Sequence, residues 1–192
     1  MTTHRNAAVD TEEPWGVGTP GGPGAAVHRD LVAARALVYD PAGFVCSRPV
    51  AEAESAEYGA YELTVDGRSV RFRVAKTTPT KVGGFVTVWQ RSEAGPIRPF
   101  DAGDAVDLFV VSARDGGGRF GQFVFPCEVL RERDIVSTAG VGGKRGFRVY
   151  PPWVVTANPQ ARRTQTWQLG HFLSFGADAP VNAARARALY RA

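Results

Sequence analysis

The amino-acid sequence predicts a single α+β domain in which helices flank a twisted, mixed or antiparallel sheet. Apolar segments of strand length alternate with segments of helical pattern, and no internal repeat is present. A chain of 192 residues has the size of one domain, and its patterned part spans residues 28–175. Residues 1–27 are rich in glycine and proline and are expected to be a disordered tail. Residues 176–192 are expected to be a C-terminal tail or a short basic helix.

Turn residues and apolar runs place the elements in order. Asp30 is the expected N-cap of a first helix that ends near Gly43. Further strands are expected at 83–89, 106–113, 120–125 and 146–150, and a short helix at 128–133. Asn158 as N-cap, with Pro159 at the first helical position, predicts a last core helix that runs to about Leu173.

The clearest local pattern is a β-hairpin around Asp66-Gly67, a sequence typical of a type I′ turn. The expected pairs are Val65 with Arg68, Leu63 with Val70, Tyr61 with Phe72, and Glu62 with Arg71. If this register continues, Glu57 lies opposite Lys76 at the open end of the hairpin. The two residues would then form either an ion pair or part of a site, unless the strands end earlier and both side chains reach solvent.

Composition limits the class of protein. No apolar run approaches the roughly 20 residues of a membrane helix, and residues 1–15 contain no apolar signal-peptide core. The two cysteines, Cys46 and Cys127, make no disulfide framework and no CxxC pair. We therefore expect a cytoplasmic protein without membrane insertion, and the sequence leaves the oligomeric state open.

The charge is unevenly distributed, although the net charge is only +4. Residues 1–57 carry four Arg and eight acids, whereas residues 58–172 carry sixteen Lys or Arg and ten acids. No carboxylate side chain occurs between Asp134 and Asp178, and we call residues 135–177 the acid-free stretch. Basic and aromatic residues alternate in it, which is typical of surfaces that bind a polyanion with stackable bases. The alternative is a solvated basic face next to core aromatics.

Lysine is rare in this chain, which has twenty Arg and only three Lys. A retained lysine can mark a site that requires a compact ammonium rather than a planar guanidinium. The expected nucleic-acid-binding residues are Lys76, Lys81, Lys144, Arg145, Arg148, Tyr150, Trp153, Arg162 and Arg163. DNA or RNA is the expected partner, and neither a cofactor nor a metal site is expected for this function.

An enzymatic alternative rests on Asp107, which lies in a predicted strand, and on the next strand along the chain. This order resembles the core of restriction-endonuclease-like nucleases, which place an Asp on one strand and (Asp/Glu)-x-Lys on the next to hold Mg²⁺. Here Gln122 and Val124 occupy the last two positions, so the scaffold would be degenerate. A metal-dependent phosphodiesterase would use Asp107, Gln122, Glu57 and Lys76, and it alone would require Mg²⁺.

Five blocks of the sequence carry a family resemblance. They are ESAEYGAYELTVDGRSVRFRVAKTTPTKVGGFVTVWQR (54–91), PFDAGDAVDLFVVSAR (99–114), FGQFVFP (120–126), GKRGFRVYPPW (143–153) and ARRTQTWQL (161–169). These blocks resemble the MepB-like family over roughly residues 50–173. The resemblance implies a domain span and no particular reaction. Because the family is named for a protein encoded beside a multidrug efflux pump, a third hypothesis is a small-molecule or protein-binding module, with Trp89, Trp153 and Trp167 lining an apolar pocket.

Overall fold

The computed structural model describes Trp15 and residues 27–91, 95–176 and 180–192. The strands are β1 (Val50–Ala51), β2 (Tyr61–Val65), β3 (Arg68–Val74), β4 (Lys76–Thr78), β5 (Lys81–Thr87), β6 (Trp89–Arg91), β7 (Ile97–Pro99), β8 (Leu108–Arg114), β9 (Phe120–Pro126), β10 (Gly146–Val149) and β11 (Phe172–Ser174). The helices are α1 (Arg29–Ala34), which continues through a π-helical turn (Arg35–Tyr39) into α2 (Asp40–Ala42), then a 3₁₀ helix (Ala53–Tyr58), α3 (Cys127–Glu132), α4 (Pro159–Leu169) and α5 (Ala183–Arg191).

A six-stranded sheet forms the centre of the fold, in the order β1-β2-β3-β8-β9-β11. All its neighbouring strands are antiparallel except β3 and β8, which are parallel. A three-stranded antiparallel sheet, β10-β5-β4, and a ribbon of β6 and β7 accompany it. The predicted α+β class with a mixed sheet is therefore confirmed, whereas a restriction-endonuclease-like core is not.

The predicted hairpin register is present in full. Val65 pairs with Arg68, Leu63 with Val70, Tyr61 with Phe72, and Glu62 with Arg71. Asp66 and Gly67 both have positive φ, 48° and 80°, as a type I′ turn requires. The cross-strand pair of Glu62 and Arg71 is an ion pair. Turn chemistry, apolar alternation and charge all specify the same pairing, which is why the local sequence predicts it correctly.

The central sheet buries apolar side chains on both faces, because side chains alternate along each strand. On one face, Phe72 and Val110 pack in a first cluster with α1 and α5. On the other face, Phe109 and Phe125 pack in a second cluster with α3 and the three-stranded sheet. Trp15 joins the first cluster, and the Arg35 guanidinium lies 4.7 Å from the centre of its ring. The rest of residues 1–26, within the predicted tail, lies outside the described residues.

Two predicted boundaries differ in the structure. His28, and not Asp30, caps α1, since its Nδ1 accepts a hydrogen bond from the Asp30 backbone N–H. Asp30 is instead buried, where it accepts from Ser112 Oγ. The helix that begins after Asn158 ends at Leu169, because Phe172–Ser174 adds a strand to the central sheet.

The C-terminal helix is an integral part of the core. Its N-cap is Asn182, and its Tyr190 is buried in the first cluster against Phe44, with ring centres 5.2 Å apart. Among the described residues, no helix is both long and apolar enough to cross a membrane.

Candidate functional site

A cleft of about 610 Å³ opens between the three-stranded sheet and α4. Four chain segments form its walls: the start of β5, the segment after α3, the region of β10, and the first turns of α4. Its lining residues are Lys81, Arg133, Ile135, Lys144, Gly146, Phe147, Arg148, Tyr150, Asn158, Gln160, Ala161, Arg163, Thr164 and Trp167. We call this surface the basic cleft.

The basic cleft has five cationic side chains and no carboxylate among its lining residues. The cations are Lys81, Arg133, Lys144, Arg148 and Arg163, and within the described part of the chain none of them pairs with a carboxylate. Elsewhere ion pairs are common, at Arg71, Arg73, Arg91, Arg98, Arg114, Arg119, Arg131 and Arg191. The positive charge of the cleft is therefore not neutralised by the protein itself, which is the electrostatic condition for binding an anion.

Arg148 lies across the sheet from β10 towards the turn between β4 and β5. Its Nη2 donates to Thr78 Oγ1 at 2.8 Å, and its Nη1 lies 3.3 Å from the Gly83 carbonyl oxygen. These acceptors are neutral, so they fix the direction of the guanidinium and leave its charge in place.

Gln168 attaches α4 to the floor of the basic cleft. Its Oε1 accepts from the Tyr150 backbone N–H and its Nε2 donates to the Arg148 carbonyl, both at 2.8 Å. The side chain is buried and uses both ends of its amide, so Gln168 links α4 to the end of β10.

Three aromatic residues line the basic cleft: the buried Phe147 and the partly exposed Tyr150 and Trp167. Tyr150 packs against Gly83, where a Cβ atom would lie only 2.7 Å from the tyrosine ring and from the Val149 carbonyl. The φ of Gly83 is +82°, a backbone conformation that favours glycine. Both the lack of space for a Cβ atom and this φ therefore require glycine at position 83. Trp167 packs on Phe125 with ring centres 5.4 Å apart, and the Arg133 guanidinium lies 5.1 Å from the Trp167 ring centre.

The loop that leads to Lys144 is held by two carboxylates outside the cleft. Asp134 Oδ1 accepts from the Gly143 N–H at 3.0 Å. Asp101 Oδ2 accepts from Ser137 Oγ at 2.7 Å and from the Gly140 N–H at 2.9 Å. The hydrogen bonds that the Asp101 carboxylate accepts lower its pKa from the ordinary 3.8 to about 2, and the bond from the Gly140 N–H is the largest cause.

We expect Asp101→Asn to lower the midpoint of thermal unfolding at neutral pH, because the hydrogen bonds to its carboxylate weaken. The folded-state pKa of Asp101 is depressed, so its contribution to stability is present above about pH 3.8 and is lost as the pH falls through about 2. Thermal unfolding followed by circular dichroism should show the unfolding midpoints of the wild type and Asp101→Asn converging as the pH falls over this range. A matched change at the exposed Glu132, Glu132→Gln, should leave the midpoint at neutral pH unchanged. A wild-type advantage that persisted undiminished at pH 2 would contradict this role of Asp101.

The structure brings together part of the predicted nucleic-acid-binding set. Lys81, Lys144, Arg148, Tyr150 and Arg163 line the basic cleft. Lys76, Arg145, Trp153 and Arg162 do not line it. Sequence reasoning missed Arg133, which precedes the acid-free stretch by two residues, and it assigned Trp167 to a different hypothesis. The cation–π contact between these two residues carries no signal in the sequence.

The predicted catalytic set does not assemble. Asp107 precedes β8, and its Oδ2 accepts from the Ser69 N–H at 2.8 Å. Gln122 pairs with Ser112 of β8, which is five residues beyond Asp107 in the chain. Five residues of extended strand correspond to roughly 17 Å, so Asp107 and Gln122 lie far apart. The side chain of Gln122 is buried in the first cluster, where its Oε1 accepts from the Tyr190 hydroxyl at 3.1 Å.

Glu57 and Lys76 form an ion pair of 3.0 Å, but away from Asp107. Glu57 projects from the 3₁₀ helix and not from a strand, and the ammonium of Lys76 also lies 4.4 Å from the ring centre of Tyr58. Lys76 follows the end of β3, whereas Asp107 is bonded near the start of that strand. Across the described residues, no three His, Cys, Asp or Glu side chains gather in a metal-binding group.

The three tryptophans proposed for an apolar pocket lie apart. Trp167 lines the basic cleft, and Trp153 lines a second, smaller cavity. Trp89 belongs to β6, which pairs only with β7, and it lines neither cavity. Neither of these two cavities therefore brings the three tryptophans together.

The fold and the site define a small α+β protein with an acid-free basic cleft between a three-stranded sheet and a helix. The family model described as MepB-like matches residues 52–174, a range that contains every residue lining the cleft. The chain belongs to the MepB-like family. A crystal structure of MepB superposes with a TM-score of 0.64 at 34% sequence identity, covering 67% of this chain and 86% of that one. No curated protein matches the chain.

Proposed function

We propose that this MepB-like protein binds nucleic acid, with the phosphates held in the basic cleft. The single observation that carries the proposal is the gathering of five cations in one cleft that, among the described residues, has neither a carboxylate partner for them nor a lining carboxylate. Four of the five, Lys81, Arg133, Lys144 and Arg163, are exposed, so they can reach a ligand without reorganising the core. Phosphate contacts of this kind supply most of the affinity of nucleic-acid-binding proteins.

The shape of the basic cleft favours a chain of phosphates over a single anion. The cations come from four separate segments of the protein and do not converge as a coordinated cluster on one helix terminus. The first turns of α4 also face the cleft and contain no acidic residue, so the helix dipole adds to the positive potential. Spread-out charges can contact successive phosphates along a strand.

The aromatic side chains favour nucleic acid over another polyanion. Tyr150 and Trp167 lie among the cations of the basic cleft. Stacking of a base on such a ring contributes about 1–3 kcal/mol and tolerates any base sequence. A polyanion without bases, such as polyphosphate, would leave these rings unused. A chain with only two cysteines has no disulfide framework, which fits a reducing compartment, so the proposal includes a cytoplasmic location.

The direct test is fluorescence anisotropy of labelled single- and double-stranded oligonucleotides, titrated with protein between about 50 and 300 mM salt. If all five cations contact phosphates of a single strand, log K should fall against log salt with a slope of about −3.5. Binding that does not change with salt, or no binding at about 50 mM salt, would overturn the proposal. The same samples with and without Mg²⁺, examined on a gel, separate binding from cleavage; we expect the oligonucleotides to remain intact.

A further inference from the structure

A second cavity, of about 260 Å³, lies at the carboxyl ends of the parallel strands β3 and β8. Ligands commonly bind at such strand ends. The cavity is lined by Ala75, Thr77, Gly83, Gly84, Ala113, Arg114, Asp115, Gly116, Pro151, Trp153 and Val154. Its volume is just below the roughly 300 Å³ at which pockets for drug-sized ligands begin, so it has room for one small ring system.

The second cavity adjoins the basic cleft. Tyr150 lines the cleft, and its ring lies directly against Gly83, which lines the second cavity. Pro151, the next residue in the chain, also lines the second cavity, and Lys81 in the cleft is two residues from Gly83. A strand whose phosphates occupy the cleft therefore passes close to the second cavity.

The walls of the second cavity suit a flat aromatic ligand. Trp153 lines the cavity, and its ring centre lies 5.6 Å from that of Phe172, in an edge-to-face arrangement, and 5.6 Å from the Arg119 guanidinium. Five of the other lining residues are glycine or alanine, which let a planar ring approach the backbone closely. A tryptophan ring among small residues, with a guanidinium that can be displaced by a base, offers a stacking surface for one ring.

Hydrogen-bonding groups are present at the edge of the second cavity. Arg114 is fixed by its Nε bond to the buried carboxylate of Asp30 at 2.6 Å, and its guanidinium lies 3.4 Å from the ring centre of Phe120. Its two terminal nitrogens have no acceptor among the described residues. The hydroxyl of Thr77 has no partner in the described part of the chain either. Because the Arg114 side chain lies with Asp30 and Phe120 on the first-cluster face of the sheet, the Thr77 hydroxyl, and not the guanidinium, is the group that can bind the polar edge of a heterocyclic base.

We propose that the second cavity binds one unstacked base of a single-stranded nucleic acid whose phosphates lie in the basic cleft. This inference rests on the proposed function and narrows its substrate class to single strands. A base inside a duplex would have to leave its stack to enter the cavity, which costs a few kcal/mol. The protein should therefore bind a single strand more tightly than a duplex of the same length.

The test compares single-strand and duplex affinities of the wild type and of Trp153→Leu at one salt concentration. Losing one stacked base should weaken single-strand binding about tenfold, and the preference for single strands should shrink accordingly. Trp89→Leu is the matched control, because Trp89 is also a partly exposed tryptophan but lines neither cavity. Salt-dependent binding that is equal for the wild type and Trp153→Leu would overturn this inference and leave the proposed function standing. No oligonucleotide binding at all would count against the proposed function itself.

A second measurement needs no variant. A single strand that carries one 5-iodouracil is photocrosslinked to the wild-type protein, and the modified residue is identified by mass spectrometry. A crosslink at Trp153 is the expected result. Crosslinks confined to Tyr150 or Trp167 would place all stacking in the basic cleft and overturn the assignment of the second cavity.

Discussion

The double substitution Lys144→Glu/Arg163→Glu is expected to weaken nucleic-acid binding about a hundredfold near 100 mM salt. Both residues are exposed and line the basic cleft, one before β10 and one on α4. Because neither has a carboxylate partner in the described part of the chain, their loss breaks no ion pair of the folded protein. Two lost phosphate contacts should also reduce the steepness of the salt dependence of single-strand binding by about 1.4.

A matched control distinguishes the effect of the basic cleft on binding from the effect of net charge. Arg48→Glu/Arg185→Glu changes the total charge by the same amount at two exposed residues that line neither cavity and have no carboxylate partner in the described part of the chain. Arg185 lies in α5, which covers the opposite face of the central sheet. The control should retain affinity to within a few-fold, as measured by anisotropy, with circular dichroism confirming the fold of both variants. Equal losses in both double variants would mean that overall charge, and not the cleft, governs binding.

The local parts of this fold could be predicted from the sequence, and the hairpin shows why. The register around Asp66-Gly67 depends on residues close in the chain, so the turn, the apolar alternation and the Glu62–Arg71 pair all specify it. The basic cleft depends on contacts between distant segments. The acid-free stretch predicted part of its charge, but Lys81 reaches the cleft from more than sixty residues before Arg148, through the pairing of β5 with β10.

The residues proposed for a catalytic site do not lie together in the structure, and the sequence could not show this for a similar reason. An Asp near one strand and a Gln on the next are compatible with many mixed sheets, since a sequence does not state how far apart two side chains lie along paired strands. Gln122 has a structural partner that no local pattern predicts, the hydroxyl of Tyr190 in the C-terminal helix, 68 positions further along. The amide is part of a buried hydrogen-bonded network, which also includes the hydroxyl of Tyr39.

Removing the carboxylate of Glu52 is expected to give the largest loss of stability among single changes considered for this protein. Arg73 is fully buried near the end of β3, and both terminal nitrogens of its guanidinium donate to Glu52, at 2.9 and 2.7 Å. Glu52→Ala leaves this charge buried without a counter-ion. The free energy of unfolding, measured by urea denaturation, should fall by about 3–5 kcal/mol.

Two further variants test whether the burial of Arg73 causes the loss of stability expected for Glu52→Ala. Glu62→Ala removes a carboxylate that also pairs with a strand arginine, Arg71, but is half exposed, so it should cost no more than about 1 kcal/mol. The double variant Glu52→Leu/Arg73→Met removes the buried guanidinium together with its partly exposed carboxylate partner, and also the Nε of Arg73, which has no hydrogen-bond partner in the described part of the chain. It should recover most of the stability lost in Glu52→Ala, because an apolar pair in this place needs no counter-ion. If Glu52→Ala cost as little as Glu62→Ala, water would have to reach the Arg73 guanidinium, and the interior between β3 and the 3₁₀ helix would be open to solvent.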